Sequence, residues 1–215
     1  VWEFEIRDLL SAPVIDENNK LLGRITIDDV VDVIRDEAEH SLMSAAGLDE
    51  EDDLFSPATK SAKRRAIWLG VNLATAFLAA SVVELFQTTL DKIVLLAVLM
   101  PIVPSMGGVA GSQSLTIITR AIALGNLDKT NTGGILKKEI LVGILNGLLW
   151  ATVVGTLTYL WFDEWLIGIV IAGAMTINLV VAALAGFSIP LILKRLNIDP
   201  AIAGGGVLTT VTDVI

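Results

Sequence analysis

The sequence predicts an all-α polytopic membrane protein with five transmembrane helices, the last one truncated, behind a small α/β segment and an acidic connecting helix. Two observations predict it. Apolar stretches without charge approach or exceed the about 20 residues that cross a bilayer as a helix. Charge is also segregated along the chain. Residues 1–60 hold 16 of the 24 acidic and 5 of the 15 basic residues, a net −11, whereas residues 61–215 carry a net +2. Such asymmetry between two parts of a chain indicates two environments.

The division expected is therefore a front segment over 1–35, an acidic connector over 36–60 and a membrane part over 61–215. In the front segment, Ala12–Asp16 reads as a short strand, Asn18-Asn19 as a turn and Leu21–Thr26 as a second strand. Thr26 or Asp28 is placed to cap a helix running through Val30, Val33 and Ile34. Residues 36–54 follow as a strongly acidic, helical connector ending in Asp49-Glu50-Glu51-Asp52-Asp53. Its plain reading is a solvated charge run. The chain opens without a basic start or an apolar run, so no leader is expected, and with Val1 in place of Met an excerpt of a longer protein is expected.

The spans expected run from Ala66 to Val83, Ile93 to Thr119, Ile140 to Phe162, Trp165 to Leu193, and Pro200 onward. Ten basic residues flank one side: Lys60, Lys63, Arg64, Arg65, Arg120, Lys129, Lys137, Lys138, Lys194 and Arg195. The other side has only Lys92. Basic residues concentrate on the cytoplasmic side of a membrane, so the acidic front is expected in the cytosol. Trp68, Trp161 and Trp165 near span ends suit interface anchors.

The pI near 4.5 argues against nucleic acid and for cations as partners. Absent cysteines exclude disulfides and thiolate metal sites. In the second span, Pro101, Pro104, Gly107 and Gly108, followed by Val109, mark a broken helix. At membrane depth that is tolerated only inside protein or beside water. Either this helix lines a pore, or its glycines form a packing seam with a kink. In the fifth span, Asp213 lies in an apolar run, where an ionised carboxylate costs about 2.5–3.5 kcal/mol. Helical spacing puts Thr210, Thr209 and Gly206 on its face, beside Gly205. Carboxylate, hydroxyl and exposed backbone are hard oxygen ligands suited to Mg²⁺ or Ca²⁺. The competing reading is an aspartate at the outer interface. Asn72, Asn146 and Asn178 read as interhelical hydrogen-bonding residues, and His40 as a surface residue.

The stretch from Met100 to Gly111, the Lys194–Pro200 junction and Leu208–Ile215 resemble the MgtE family of magnesium channels. The front resembles the last part of a CBS domain, and 36–54 the family's plug helix before the first span. The resemblance implies a homodimer in a bacterial plasma membrane, with a pore on the dimer axis lined by the second and fifth spans. It makes Asp213 the pore aspartate, which holds Mg²⁺ through the ion's retained waters. Thr209 falls where the family offers a backbone carbonyl. It also implies closure by cytosolic Mg²⁺, with Asp32, Glu37 and Asp199 at matching acidic positions. The chain departs from the pattern at Val109, Gly205 and Gly206, where family members carry asparagine or Asn-Pro. His40 and Ser41 stand where the sensor would have acids.

Two other classes compete. An ion-coupled transporter of Mg²⁺, Co²⁺ or Ca²⁺ would show similar broken helices. An intramembrane aspartyl enzyme needs two carboxylates sharing a proton, and the spans as drawn supply one. A membrane-bound sensor without transport leaves Asp213 without a role.

Overall fold

The computed structural model describes residues 1–45, 48, 55–128 and 130–215, without the side chains at 37, 40–42, 44–45 and 201–203. It divides into two compact units, Val1–Arg64 and Arg65–Ile215.

The first unit is a helix, a hairpin and a long helix. α1 (Trp2–Ile6) leads into β1 (Ser11–Ile15) and β2 (Leu21–Thr26), which pair antiparallel with Ser11 opposite Thr26 and Val14 opposite Gly23. The connecting turn forms as its residue types dictate. Asp16 Oδ1 accepts from the N–H groups of Asn18 (2.9 Å) and Lys20 (2.8 Å), and Asn19 adopts a φ of 59°. Asparagine tolerates that left-handed conformation better than most residues. α2 (Ile27–Ala45) starts where Thr26 was expected to cap it. Asp29 completes the cap from inside the first turn, its Oδ2 accepting from the Thr26 N–H (2.8 Å) and hydroxyl (3.0 Å). Phe4 and Val30 are the buried apolar residues among those described here. The acidic run at 49–53 lies outside the described residues, as do the side chains of Glu37, His40 and Ser41.

The second unit is helical. α3 (Ala58–Glu84) begins at the charged Lys60–Arg65 flank, crosses the boundary between units, and has no buried residue. After the short α4 (Gln87–Leu90), the second apolar stretch forms two pieces, α5 (Val94–Leu99) and α6 (Ile102–Ala123). α7 (Thr132–Phe162) and α8 (Trp165–Arg195) form a hairpin, its corner made by Asp163 with a φ of 56°. α9 (Pro200–Val214) follows, with Asp199 and Pro200 in the order that suits a helix start. Among the described residues, four helices are long and apolar enough to cross a membrane, taking α5 with α6 as one. α9 has 15 residues, about 22 Å of helix, against a hydrocarbon core of about 30 Å.

α8 is the centre of the bundle and packs against α6, α7 and α9. Association inside a bilayer relies on close packing, because lipid tails are as apolar as leucine. Small residues permit it. A Cβ on Gly186 of α8 would lie 2.5 Å from the Gly111 carbonyl of α6. On α7 the buried positions Glu139, Gly143, Gly147 and Ala151 recur every fourth residue, and the last three meet α8.

Candidate functional site: a polar face on apolar helices

The interruption expected from the prolines falls at Met100–Pro101, between α5 and α6. Pro101 occupies the N-cap position of α6 and Pro104 its first turn. A helix's first N–H groups have no intrahelical partner, so neither proline removes a bond there. Met100 and Pro101 both keep right-handed helical backbone angles across the interruption.

The expected residues of α6 fall on three sides. Pro101 and Pro104 face a cavity of about 610 Å³ inside the second unit, bounded also by α3, α5, α8 and α9. Gly107 is buried against Asn178 of α8. Gly108 has open space where a side chain would project, and Val109 is 58% exposed beside Ser112, Gln113 and Thr116. Gly107 and Gly111 thus form a packing seam, and the face bearing Gly108 and Val109 is open.

α9 sorts its residues similarly. Gly204, Leu208 and Thr212 are buried, with Leu208 packed on Ile189 and Leu193 of α8. Gly205 and Thr209 are exposed, and Gly206, Thr210 and Asp213 are half-buried. Each threonine turns its hydroxyl inward along the helix. Thr209 donates to the Gly205 carbonyl (3.0 Å) and Thr210 to that of Gly206 (2.9 Å). Trp68 of α3 stands 3.7 Å from where a Gly206 Cβ would be. Asp213 borders the cavity, as do Thr212 and Asn178. Among the described residues no basic side chain forms an ion pair with it.

Of the proposed regulatory carboxylates, Asp32 is exposed on α2, Asp199 is half-buried just before α9, and the side chain of Glu37 is not described. Asn178 does join helices, donating from Nδ2 to the Val103 carbonyl at 2.9 Å. Asn72 instead bonds within its own helix, to Trp68.

One residue escaped the sequence reading. Glu139 is 4% exposed in α7, and its Oε2 accepts from the Ser114 hydroxyl of α6 at 2.6 Å. Asp213 is therefore not the only carboxylate in the helical bundle. Lys137-Lys138-Glu139 looks like a solvated flank. The available signal was register, since Glu139 heads the stripe of Gly143, Gly147 and Ala151.

Long apolar helices, small-residue seams and carboxylates set among them define a multi-pass membrane protein. The chain belongs to the MgtE family: the family model, described as a divalent cation transporter, matches residues 100–215. Along nearly its whole length the chain is similar to proteins named magnesium transporter MgtE. Identity is 31% over 208 residues with that of Bacillus subtilis, covering 97% of this chain and 46% of the relative. It is 33% over 207 residues with that of Enterococcus faecalis, and 32% over 209 with that of Thermus thermophilus. Each covers 96% of this chain and 46% of the relative. The chain spans about half the length of the curated relatives it matches.

Proposed function

We propose that the protein carries Mg²⁺ across the membrane as a channel, down its electrochemical gradient. The pore lies on the axis of a homodimer, with α6 and α9 lining it and α9 serving as the fifth span of each subunit. The observation that carries this reading is Asp213: a half-buried carboxylate on an apolar helix, inside the region that the family model matches. Placing that charge at membrane depth is costly, and a bound cation offsets the cost. Mg²⁺ dehydrates reluctantly, so two facing aspartates would hold it through its waters rather than by direct contact. Thr209, Thr210, Gly205 and Gly206 supply the oxygen-rich surface beside it. Val109 and Gly108 lie on the open face of α6 and would meet the partner's copy across the axis.

The front segment is read as the end of a cytosolic CBS domain, and the acidic connector as a plug helix. Cytosolic Mg²⁺ is the regulator in this reading, acting at Asp32, Glu37 and Asp199. Acidic segments repel at low divalent concentration and are bridged at high concentration. Coupled transport of Mg²⁺, Co²⁺ or Ca²⁺ is the second reading, favoured by the buried Glu139.

Uptake by a Mg²⁺-dependent strain tests the pore, with abundance checked for every variant. Asp213→Asn keeps the size and removes the charge from both subunits, and it should abolish uptake. Asp213→Glu keeps the charge and crowds the axis, leaving reduced uptake. Val109→Asn should sharpen the preference for Mg²⁺ over Ca²⁺ without being needed for conduction. Wild-type uptake by Asp213→Asn would sink the pore reading.

A further inference from the structure

Among the described residues, two side-chain hydrogen bonds fasten α6 to its neighbours. Asn178 of α8 donates to the Val103 carbonyl (2.9 Å), and Ser114 of α6 donates to Glu139 of α7 (2.6 Å). Val103 and Ser114 are eleven residues apart, about three turns, so both fall on one face of the helix. Gly107 and Gly111, the seam against α8, lie on that face between them. At its far end Ser114 also touches α8, since a Cβ on Gly186 would lie 2.8 Å from its own. Val109 and Thr116 are about half a turn round, on the open face.

The second fastening has no substitute. Glu139 is 4% exposed and, among the described residues, its printed partner is Ser114 and no ion pair reaches it. Lys138 borders the same space with its side chain exposed. That space is a gap of about 150 Å³ between α6, α7 and α8, walled on α6 by Ala110, Gln113 and Ile117. A helix in a close-packed interior is held by shape. Here α6 packs closely on α8 along its glycines, but it borders the gap on the side of α7. There the hydrogen bond that crosses to Glu139 holds it.

We propose that Glu139 is a positioning residue for ion passage: through Ser114 it stops α6 from swinging about its Asn178 anchor into the gap. Val109 and Thr116 are thereby held where the path needs them. This role rests on the reading of α6 as a wall of the path. What Ser114 requires is an acceptor oxygen rather than a charge. Glu139 itself touches no ion.

Two measurements on the full-length protein test it, one of them blind to transport. In this cysteine-free chain, Thr116→Cys in native membranes reports the open face of α6 through its rate of reaction with a water-soluble methanethiosulfonate. Adding Ser114→Ala or Glu139→Ala should change that rate several-fold. Glu139→Gln, whose amide oxygen still accepts from Ser114, should leave it at the parent value. Asp163→Cys, at the corner of the α7–α8 hairpin, should react alike in every background. A change there as well, or an unchanged Thr116→Cys rate in Ser114→Ala, would overturn the proposal.

Mg²⁺ uptake, with abundance checked, should fall several-fold in Ser114→Ala and in Glu139→Ala, no further in the double variant, and recover in Glu139→Gln. Uptake as poor in Glu139→Gln as in Glu139→Ala would show that the charge itself acts, and the positioning role would fail. Effects that multiply in the double variant would sink it too. If Glu139→Ala does not fold, Ser114→Ala, which removes one oxygen, carries both measurements against Glu139→Gln. Should Asp213→Asn sustain uptake, the pore reading falls, while the Thr116→Cys rates still decide whether Glu139 sets the position of α6.

Discussion

The carboxamide of Asn178 occupies the space beside Gly107: a Cβ on that glycine would lie 2.7 Å from both its Nδ2 and its Oδ1. The amide also donates to the Val103 carbonyl one turn earlier on α6. One side chain thus fixes the restart of the broken helix against α8, and it fits because position 107 has no side chain.

Gly107→Ala should therefore destabilise the folded protein by about 1–3 kcal/mol, the usual cost of overpacking. Asn178→Ala should lose the Val103 bond but make room. The double variant should recover part of the loss of Gly107→Ala. Thermal unfolding of the four proteins gives the coupling, and simple additivity would contradict the contact.

Gly186 and Gly173 offer a controlled comparison within α8. A Cβ at 186 would meet Gly111 backbone at 2.5 Å, whereas one at 173 would meet nothing within 4 Å. Gly173→Ala should be neutral or stabilising by up to about 1 kcal/mol, from helix propensity alone. Gly186→Ala should separate α6 from α8 and lower the unfolding temperature. Equal effects at the two positions would refute the close approach.

Asp29 gives a pH dependence of known sign. The Thr26 N–H, and then its hydroxyl, hold the Asp29 carboxyl below the usual carboxylate range. Its contribution to the start of α2 is complete above the unfolded pKa of about 3.9. It is lost as pH falls through the lower folded value. A carboxyl NMR titration should find that lower midpoint, and Thr26→Val should keep most of the shift because the backbone donor is the larger cause. A midpoint at the unfolded value would show that the cap is not formed.

Orientation is testable in a chain without cysteine. Single cysteines at Asp91 and Asp163 should react with an impermeant maleimide added outside intact cells, and one at Asp16 only after permeabilisation. The opposite pattern would invert the topology.

The sequence disclosed the features that depend on local chemistry. Thr26 before an apolar helix, the Asn18-Asn19 turn and the apolar runs behind α3 and α5 to α8 all follow from residue type and spacing. Pairings between distant helices were not legible. Nothing near Glu139 points to Ser114, 25 residues earlier, and the charged pair Lys137-Lys138 masks its burial. Nor could composition divide the small residues of α6 between a seam, at Gly107 and Gly111, and an open face at Gly108. That division depends on where α8 lies.

The inward-turned hydroxyls of α9 bear on what can rest against that helix. Thr209 and Thr210 have committed their hydrogens to the carbonyls of Gly205 and Gly206, so what each presents outward is lone pairs. A water bound to a cation turns its own hydrogens away from the metal, and such a surface receives them. An anion would meet oxygen against oxygen. In the proposed pore the two hydroxyls would therefore favour a hydrated cation over an anion by the direction in which the solvent shell points, without contact with the ion itself.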